Sequence, residues 1–148
     1  MRLAEQDYAV GSFAVENVIP LVGDTSPKLA IGMQKTVLIV EDEYLIAMDL
    51  RLWVEGHGWR AIGPVATVNA ALRLIEDELP SAALLDVHLG DELVTPVAEV
   101  LKARGVPFAL ATAYAQPEQF GGPALAGAPN AGKPTSQRSL LATLEQLM

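Results

Sequence analysis

The chain has 148 residues, of which 51% are hydrophobic, and this is enough for one globular domain with a sizeable core. Its 18 acidic residues exceed its 10 basic residues, and the formal charge of −8 disfavours direct binding to nucleic acid, which needs clustered lysine and arginine. The absence of cysteine excludes disulfides and thiolate metal sites, and no apolar run approaches the roughly 20 residues of a membrane span.

Residues 1–34 differ in pattern from the rest of the chain, because they are rich in turn formers and their apolar residues show no sustained period. We interpret them as a flexible extension with one short helix near residues 3–15. Two alternatives stay open: a stretch ahead of a natural start at Met33, or an arm that packs on a partner or on a second copy of the chain. The acidic residues close to Met1 do not fit a secretory signal, so we expect a soluble, cytoplasmic protein.

Strand and helix patterns alternate from Lys35 onward. A continuous apolar, β-branched run predicts a strand at 36–40 that is buried on both faces, and apolar residues at helical spacing predict a helix over 44–55. Further elements follow in the same way, each ended by glycine, proline or a change of period. They are a strand at 59–65, a helix at 68–79, a strand at 82–87, a helix at 92–104 and a strand at 106–111.

The signal weakens after residue 111. Residues 116–132 are rich in glycine and proline, so a helix there is expected to be short and broken. A fifth strand is predicted at 128–132, although this stretch is poor in β-branched residues. Leucines at helical spacing predict a closing helix over 139–148.

Regular alternation of strands and helices predicts a parallel sheet that is covered by helices on both faces. Five strands with right-handed crossovers suit the flavodoxin-like α/β fold, a three-layer sandwich with strand order 2-1-3-4-5. This order places strands 1 and 3 side by side. Their carboxyl ends then flank the point at which open α/β sheets bind ligands.

Polar side chains stand at the carboxyl ends of the predicted strands. Glu41 and Asp42 follow the first strand and Asp86 lies at the end of the third, while Thr112 and Lys133 follow the fourth and fifth. Carboxylates at neighbouring strand ends form a hard-oxygen pocket that suits Mg²⁺ and phosphate. Taken singly, each residue also fits an ordinary role, such as a solvated strand end or a surface lysine. Their common position predicts one shared site.

With these residues, the segment from Lys35 to Met148 resembles the receiver domain of bacterial two-component response regulators. The resemblance rests on four motifs in order: Val40-Glu41-Asp42-Glu43, Leu84-Leu85-Asp86-Val87, Ala111-Thr112-Ala113 and Lys133-Pro134. It implies a single-domain signalling protein, because no residues remain after the last helix for an output module. Such a protein is no enzyme beyond its own phosphorylation and dephosphorylation.

The resemblance also implies roles for the site residues. Asp86 is the implied phosphoacceptor, which takes a phosphoryl group from a sensor histidine kinase to form an aspartyl phosphate. Thr112 and Lys133 are implied to contact phosphoryl oxygens. The implied Mg²⁺ ligands are Glu41, Asp42, Asp86 itself and the backbone carbonyl of His88. The phosphorylated form is then expected to bind a downstream protein, or to return the group to a histidine of a phosphotransfer partner.

Two positions depart from the family pattern. Asn130 stands where the family has an aromatic or large apolar residue, three positions before the lysine. Gly90 replaces a proline that usually lies four residues after the phosphoacceptor, and this glycine is expected to loosen its loop. His88 is interpreted as an exposed loop residue whose side chain tunes the access of water to the phosphoryl group.

The stretch 106–114 resembles an atypical branch of the family. That branch carries a Phe-Ala-Thr-Gly-hydrophobic-Tyr motif and works with histidine kinases of the HWE class, although Leu110 and Ala113 depart from the motif here. We therefore expect switching through motion of residues 113–132 rather than through the usual threonine–aromatic pair. Whether Tyr114 acts as the switch aromatic stays open.

Two other functions stay open as alternatives. One is a receiver-shaped docking module that signals through protein contacts without phosphate. The other is a phosphatase with Asp86 as nucleophile, which is disfavoured because His88 occupies the position of the second acid that such enzymes use.

Overall fold

The strands form where the sequence predicts buried apolar runs. The computed structural model describes residues 34–148, and the predictions made for residues 1–33 lie outside the described residues. The strands of the main sheet are β1 (Thr36–Val40), β2 (Arg60–Val65), β3 (Ala82–Asp86) and β4 (Phe108–Ala111).

All neighbours in this sheet run parallel, in the order β2-β1-β3-β4, which confirms the predicted topology for these four strands. The predicted fifth strand at 128–132 is wrong as a regular strand. Only one isolated bridge forms there, between Leu110 and Asn130. Within residues 34–148 the sheet therefore has one strand fewer than the predicted five, while the strand order stays that of the flavodoxin-like fold.

The helices lie close to their predicted positions. They are α1 (Tyr44–Gly56), α2 (Val68–Asp77), α3 (Thr95–Ala103), α4 (Glu118–Gly121) and α5 (Gln137–Leu147), with a short 3₁₀ turn at Pro123–Leu125. The predicted helix over 92–104 begins later, at Thr95. The reason is a small antiparallel hairpin in which His88–Leu89 pairs with Glu92–Leu93.

The core has two halves, one on each face of the sheet. Successive residues of β1 point to opposite faces, so Leu38 and Val40 pack with α2 and α3, while Val37 and Ile39 pack with α1 and α5. This explains why the strands read as continuous apolar runs instead of alternating ones. The arrangement is the predicted three-layer sandwich. Among residues 34–148, no helix has both the length and the apolar character that a membrane span requires.

Candidate functional site

Three carboxylates meet at the carboxyl ends of the two central strands. Glu41 and Asp42 follow β1, and Asp86 ends β3, which pairs with β1 through Val40 and Leu85. One oxygen from each of the three carboxylates lies within 4.8 Å of the others. Glu41 and Asp86 are only 3% and 5% exposed, whereas Asp42 is open to solvent. The structure thus brings together the acids that the sequence placed at one edge of the sheet.

Lys133 reaches this cluster from the segment that follows the single bridge beside β4. Its Nζ donates to Asp86 Oδ2 at 2.9 Å and lies 3.8 Å from Glu41 Oε1. Burial of the ammonium group lowers the pKa of Lys133, but the hydrogen bond and the negative charges of Asp86 and Glu41 outweigh it, so the pKa is raised overall. Lys133 is therefore a fixed positive charge beside Asp86.

The environment of Glu41 disfavours the charged form of its carboxyl group. Burial raises the pKa of Glu41 to about 7, and the nearby charge of Asp86 acts in the same direction. The backbone N–H of Glu43 donates to Glu41 Oε2 at 3.1 Å, and this bond together with Lys133 limits the rise. Three acids facing one lysine leave an excess of negative charge. Hard oxygen donors with such an excess are a fitting environment for a divalent cation.

Asp42 is tied to the hairpin that follows β3. Its Oδ2 accepts the backbone N–H of Gly90 at 2.9 Å, and Gly90 has a φ of +61°. The far strand of the hairpin is anchored as well, because the Glu92 carboxylate accepts the Val68 N–H at 3.1 Å. The expectation that Gly90 loosens the loop stays a prediction. In this structure glycine permits the turn and supplies the donor that a proline would lack.

A proline at this position tests the role of the Gly90 N–H. We expect Gly90→Pro to destabilise the fold by about 2 kcal/mol or more, because proline cannot adopt the positive φ and leaves Asp42 without its donor. Gly90→Ala keeps the N–H and pays only for the positive φ, at about 1 kcal/mol. Denaturant unfolding of both variants measures the difference. Equal losses of stability would show that the bond to Asp42 contributes nothing.

Thr112 stands at the end of β4 beside the acids. It is only 4% exposed, and its Oγ1 accepts the backbone N–H of Tyr114 at 3.1 Å. Its backbone N–H and carbonyl both bond to the side-chain amide of Asn130. Sequence reasoning noted Asn130 only as a departure from a pattern and gave it no role. The residue type itself could have indicated this role, because the Asn side-chain amide carries both the donor and the acceptor that a strand partner would supply.

Three aromatic rings pack at the rim of the site. The rings of Tyr114 and Phe120 have centroids 4.3 Å apart, and His88 lies 5.5 Å from Tyr114 and 6.1 Å from Phe120. All three residues are exposed. His88 is exposed, as interpreted, but it lies in a short hairpin strand and not in a loop. The ligand role of its backbone carbonyl stays a prediction. Phe120 is a member of this cluster that the sequence did not reveal.

Most of these groups line one open cavity of about 360 Å³ at the edge of the sheet, whereas Glu41 and Phe120 are not among its lining residues. Its walls bring together the carboxylates, the hydroxyl, the ammonium and the aromatic rim: Asp42, Glu43, Asp86, His88, Gly90, Thr112, Ala113, Tyr114 and Lys133. The cavity offers a carboxylate nucleophile beside a fixed positive charge and a hydroxyl donor. Such a constellation suits the binding of a cation and the transfer of a phosphoryl group.

Comparison with known proteins points to the receiver domains of response regulators. The CheY-like response regulator receiver domain protein of Methanospirillum hungatei has 30% identity and a TM-score of 0.66, with coverage of 76% of this chain and 92% of that protein. No protein-family model matches the chain. The phyllosphere-induced regulator PhyR of Methylorubrum extorquens is 39% identical over 109 residues, which cover 72% of this chain and 40% of PhyR. The chain thus spans about two fifths of the length of the curated relatives that it matches.

Two solved structures of SdrG resemble this chain over nearly their whole length, and a third structure resembles it over about half of its length. The solution structure of SdrG from Sphingomonas melonis has 39% identity and a TM-score of 0.66, with coverage of 77% of this chain and 96% of SdrG. The BeF₃-activated conformation of SdrG, from Pseudomonas melonis, has 40% identity and a TM-score of 0.61, with coverage of 76% and 94%. The anti-anti-sigma factor PhyR from Bartonella quintana has 26% identity and a TM-score of 0.64, with coverage of 81% and 51%.

Proposed function

Because this chain belongs to the receiver-domain family of response regulators, we propose that it is a phosphorylation switch whose phosphoacceptor is Asp86. A sensor histidine kinase, of the HWE class in our proposal, donates the phosphoryl group in the cytoplasm. The supporting observation is the hydrogen bond of 2.9 Å between Lys133 Nζ and Asp86 Oδ2 at the wall of the acidic cavity. A carboxylate and an ammonium group thus lie side by side, and we propose them as the nucleophile and as a phosphoryl contact.

Mg²⁺ is the proposed cofactor of this site. The ligand set fits it, because Glu41, Asp42 and Asp86 present hard oxygens within 4.8 Å of one another, with the backbone carbonyl of His88 as a proposed further ligand. When bound, Mg²⁺ offsets the repulsion between these carboxylates and the negative charge of an incoming phosphoryl group.

Asp86, Lys133 and Thr112 have different proposed roles in phosphoryl transfer. An Asp86 carboxylate oxygen bonds to phosphorus as the P–N bond to the donor histidine breaks, and the imidazole leaves with the bonding electron pair. The Lys133 ammonium then exchanges its hydrogen bond to Asp86 Oδ2 for one to a phosphoryl oxygen. Thr112 donates its hydroxyl proton in a hydrogen bond to another phosphoryl oxygen.

The change at Thr112 reaches the surface through Tyr114. In this structure the Thr112 hydroxyl accepts the Tyr114 N–H at 3.1 Å. When the hydroxyl turns toward a phosphoryl group, that N–H loses its acceptor, and the segment that begins at Ala113 is free to shift. Tyr114 packs on Phe120 at the exposed rim of the site. A shift of Tyr114 therefore changes the shape of a surface to which a partner protein can bind. The two states then differ in affinity for that partner, as any such switch requires.

The relatives support this proposal at a coarser level. One SdrG structure is a BeF₃-activated conformation, and beryllofluoride mimics a phosphoryl group on a carboxylate. The PhyR of Bartonella quintana is an anti-anti-sigma factor. By analogy we propose that the downstream partner of this chain is a protein that controls transcription, not nucleic acid itself, since the formal charge is −8.

The direct test is phosphorylation by a small donor. The full chain is incubated with acetyl phosphate and Mg²⁺, and its intact mass is measured. We expect a gain of one phosphoryl group, and no gain when a chelator is present from the start of the incubation. The absence of any gain would contradict the proposal and would favour a docking module that works without phosphate.

A further inference from the structure

The side-chain amide of Asn130 holds both backbone groups of Thr112. Its Oδ1 accepts the Thr112 N–H at 3.1 Å, and its Nδ2 donates to the Thr112 carbonyl at 2.9 Å. The same Oδ1 also accepts the Gly132 N–H at 2.9 Å. One donor and one acceptor in fixed geometry match the two backbone groups of a strand residue. The amide therefore takes the place of a strand partner at the end of β4.

The backbone around Asn130 leaves the sheet after a single rung. Leu110 donates its N–H to the Pro129 carbonyl and accepts the Ala131 N–H, both at 2.8 Å. In a continued parallel ladder, the next rung would join Thr112 to the backbone of residues 131 and 133. Instead the Ala131 carbonyl accepts the Ser139 hydroxyl at 2.8 Å, and Gly132 turns with a φ of +93°.

This turn directs Lys133 into the site. Its Nζ lies 2.9 Å from Asp86 Oδ2, while Thr112 lines the same cavity from the end of β4. The three bonds of Asn130 thus join the segment that carries the hydroxyl to the segment that carries the ammonium. Asn130 itself is not among the residues that line the cavity. Asn130 can therefore affect a bound group only through Thr112 and Lys133, which do line the cavity.

We propose that Asn130 is a positioning residue that sets the separation of the Thr112 hydroxyl and the Lys133 ammonium, and so determines how tightly the site holds a phosphoryl group. The inference rests on the proposed function. Its physical basis is that a displacement of a fraction of an ångström weakens hydrogen bonds to a small anion. Cation binding depends mainly on the carboxylates that follow or end β1 and β3, and a small displacement that keeps the charge of Lys133 in the site is expected to change it little.

The two ligands can be titrated separately in the full chain. Calorimetry gives the affinity for Mg²⁺ alone and then the affinity for beryllofluoride at saturating Mg²⁺. We expect Asn130→Ala to weaken beryllofluoride binding by about tenfold, the equivalent of one good hydrogen bond, and to leave Mg²⁺ affinity within about twofold. Asn130→Asp keeps the acceptor but loses the donor, so it is expected to weaken beryllofluoride as well. Asn69→Ala, on the exposed face of α2, is the matched control and is expected to change neither affinity.

Hydrogen exchange of single amides tests the link without any phosphoryl analogue. Asn130→Ala is expected to remove protection from the Thr112 amide and to preserve protection at Leu110, whose partner is backbone. If Asn130→Ala does not fold, the near-isosteric Asn130→Asp is used for the two titrations. Its carboxylate still accepts the Thr112 N–H, so protection of the Thr112 amide is expected to persist in that variant. Unchanged beryllofluoride affinity in a folded variant, or a parallel loss of Mg²⁺ and beryllofluoride affinity, would overturn the positioning role alone. A wild-type chain that binds no beryllofluoride would overturn the proposed function and this inference together.

Discussion

Asp86→Asn is expected to abolish phosphorylation by acetyl phosphate while leaving the fold intact. Asparagine has nearly the shape of aspartate and still accepts a hydrogen bond from Lys133, but its amide is no nucleophile toward phosphorus. Removing one of three clustered negative charges also relieves repulsion at Glu41, whose pKa is raised partly by Asp86. Intact mass measures the loss of phosphorylation, and circular dichroism with thermal unfolding measures the fold.

The matched control is Asp77→Asn, which makes the same change at an exposed residue that ends α2. This variant is expected to gain a phosphoryl group as the wild-type chain does. A gain that survives Asp86→Asn would assign the phosphoacceptor to another residue. A gain lost in both variants would point to an indirect effect of charge instead of the chemistry of Asp86.

Lys133→Ala is expected to change two affinities in opposite directions. Beryllofluoride binding at saturating Mg²⁺ falls by about tenfold or more, because the ammonium that lies 2.9 Å from Asp86 Oδ2 is lost. Mg²⁺ binding in the absence of beryllofluoride tightens by about threefold to tenfold. The Lys133 ammonium, 3.8 Å from Glu41 Oε1 and 2.9 Å from Asp86 Oδ2, repels a second cation. Its removal ends this repulsion, and both carboxylates can then bind the metal. Calorimetric titrations measure both affinities.

Lys102→Ala provides the matched control for this pair of measurements. Lys102 is an exposed residue in the last turn of α3, so its replacement is expected to leave both affinities unchanged. A parallel loss of the two affinities in Lys133→Ala would indicate local unfolding rather than a missing charge. Unchanged beryllofluoride binding would exclude Lys133 as a phosphoryl contact.

The short-range pattern of the chain determined most of the architecture. The apolar runs of β1 and β3 predict strands buried on both faces, and the alternation with helices predicts their parallel order. Once the order is known, Glu41, Asp42 and Asp86 must lie at one edge of the sheet, because parallel strands end on the same side. The position of the acids therefore needed no coordinates.

The sequence pattern could not predict contacts that depend on the direction in which a turn leads the chain. The fifth strand was predicted from its place in the alternation, but Pro129 and Gly132 flank a single rung, and a side chain completes the pairing. The hydrogen bond from the Gly90 N–H to Asp42 joins residues that are 48 positions apart in the chain, and no local pattern reveals it.

What the sequence determined by itself is the set of chemical groups and the edge of the sheet at which they stand. Hydrophobic period decides this, and period is a local property of the chain. What only the tertiary structure decided is which of these groups touch: Lys133 on Asp86, Gly90 on Asp42 and Asn130 on Thr112. Hydrogen bonds depend on fractions of an ångström between distant segments, and those distances are set only when turns, hairpin and helices have packed together.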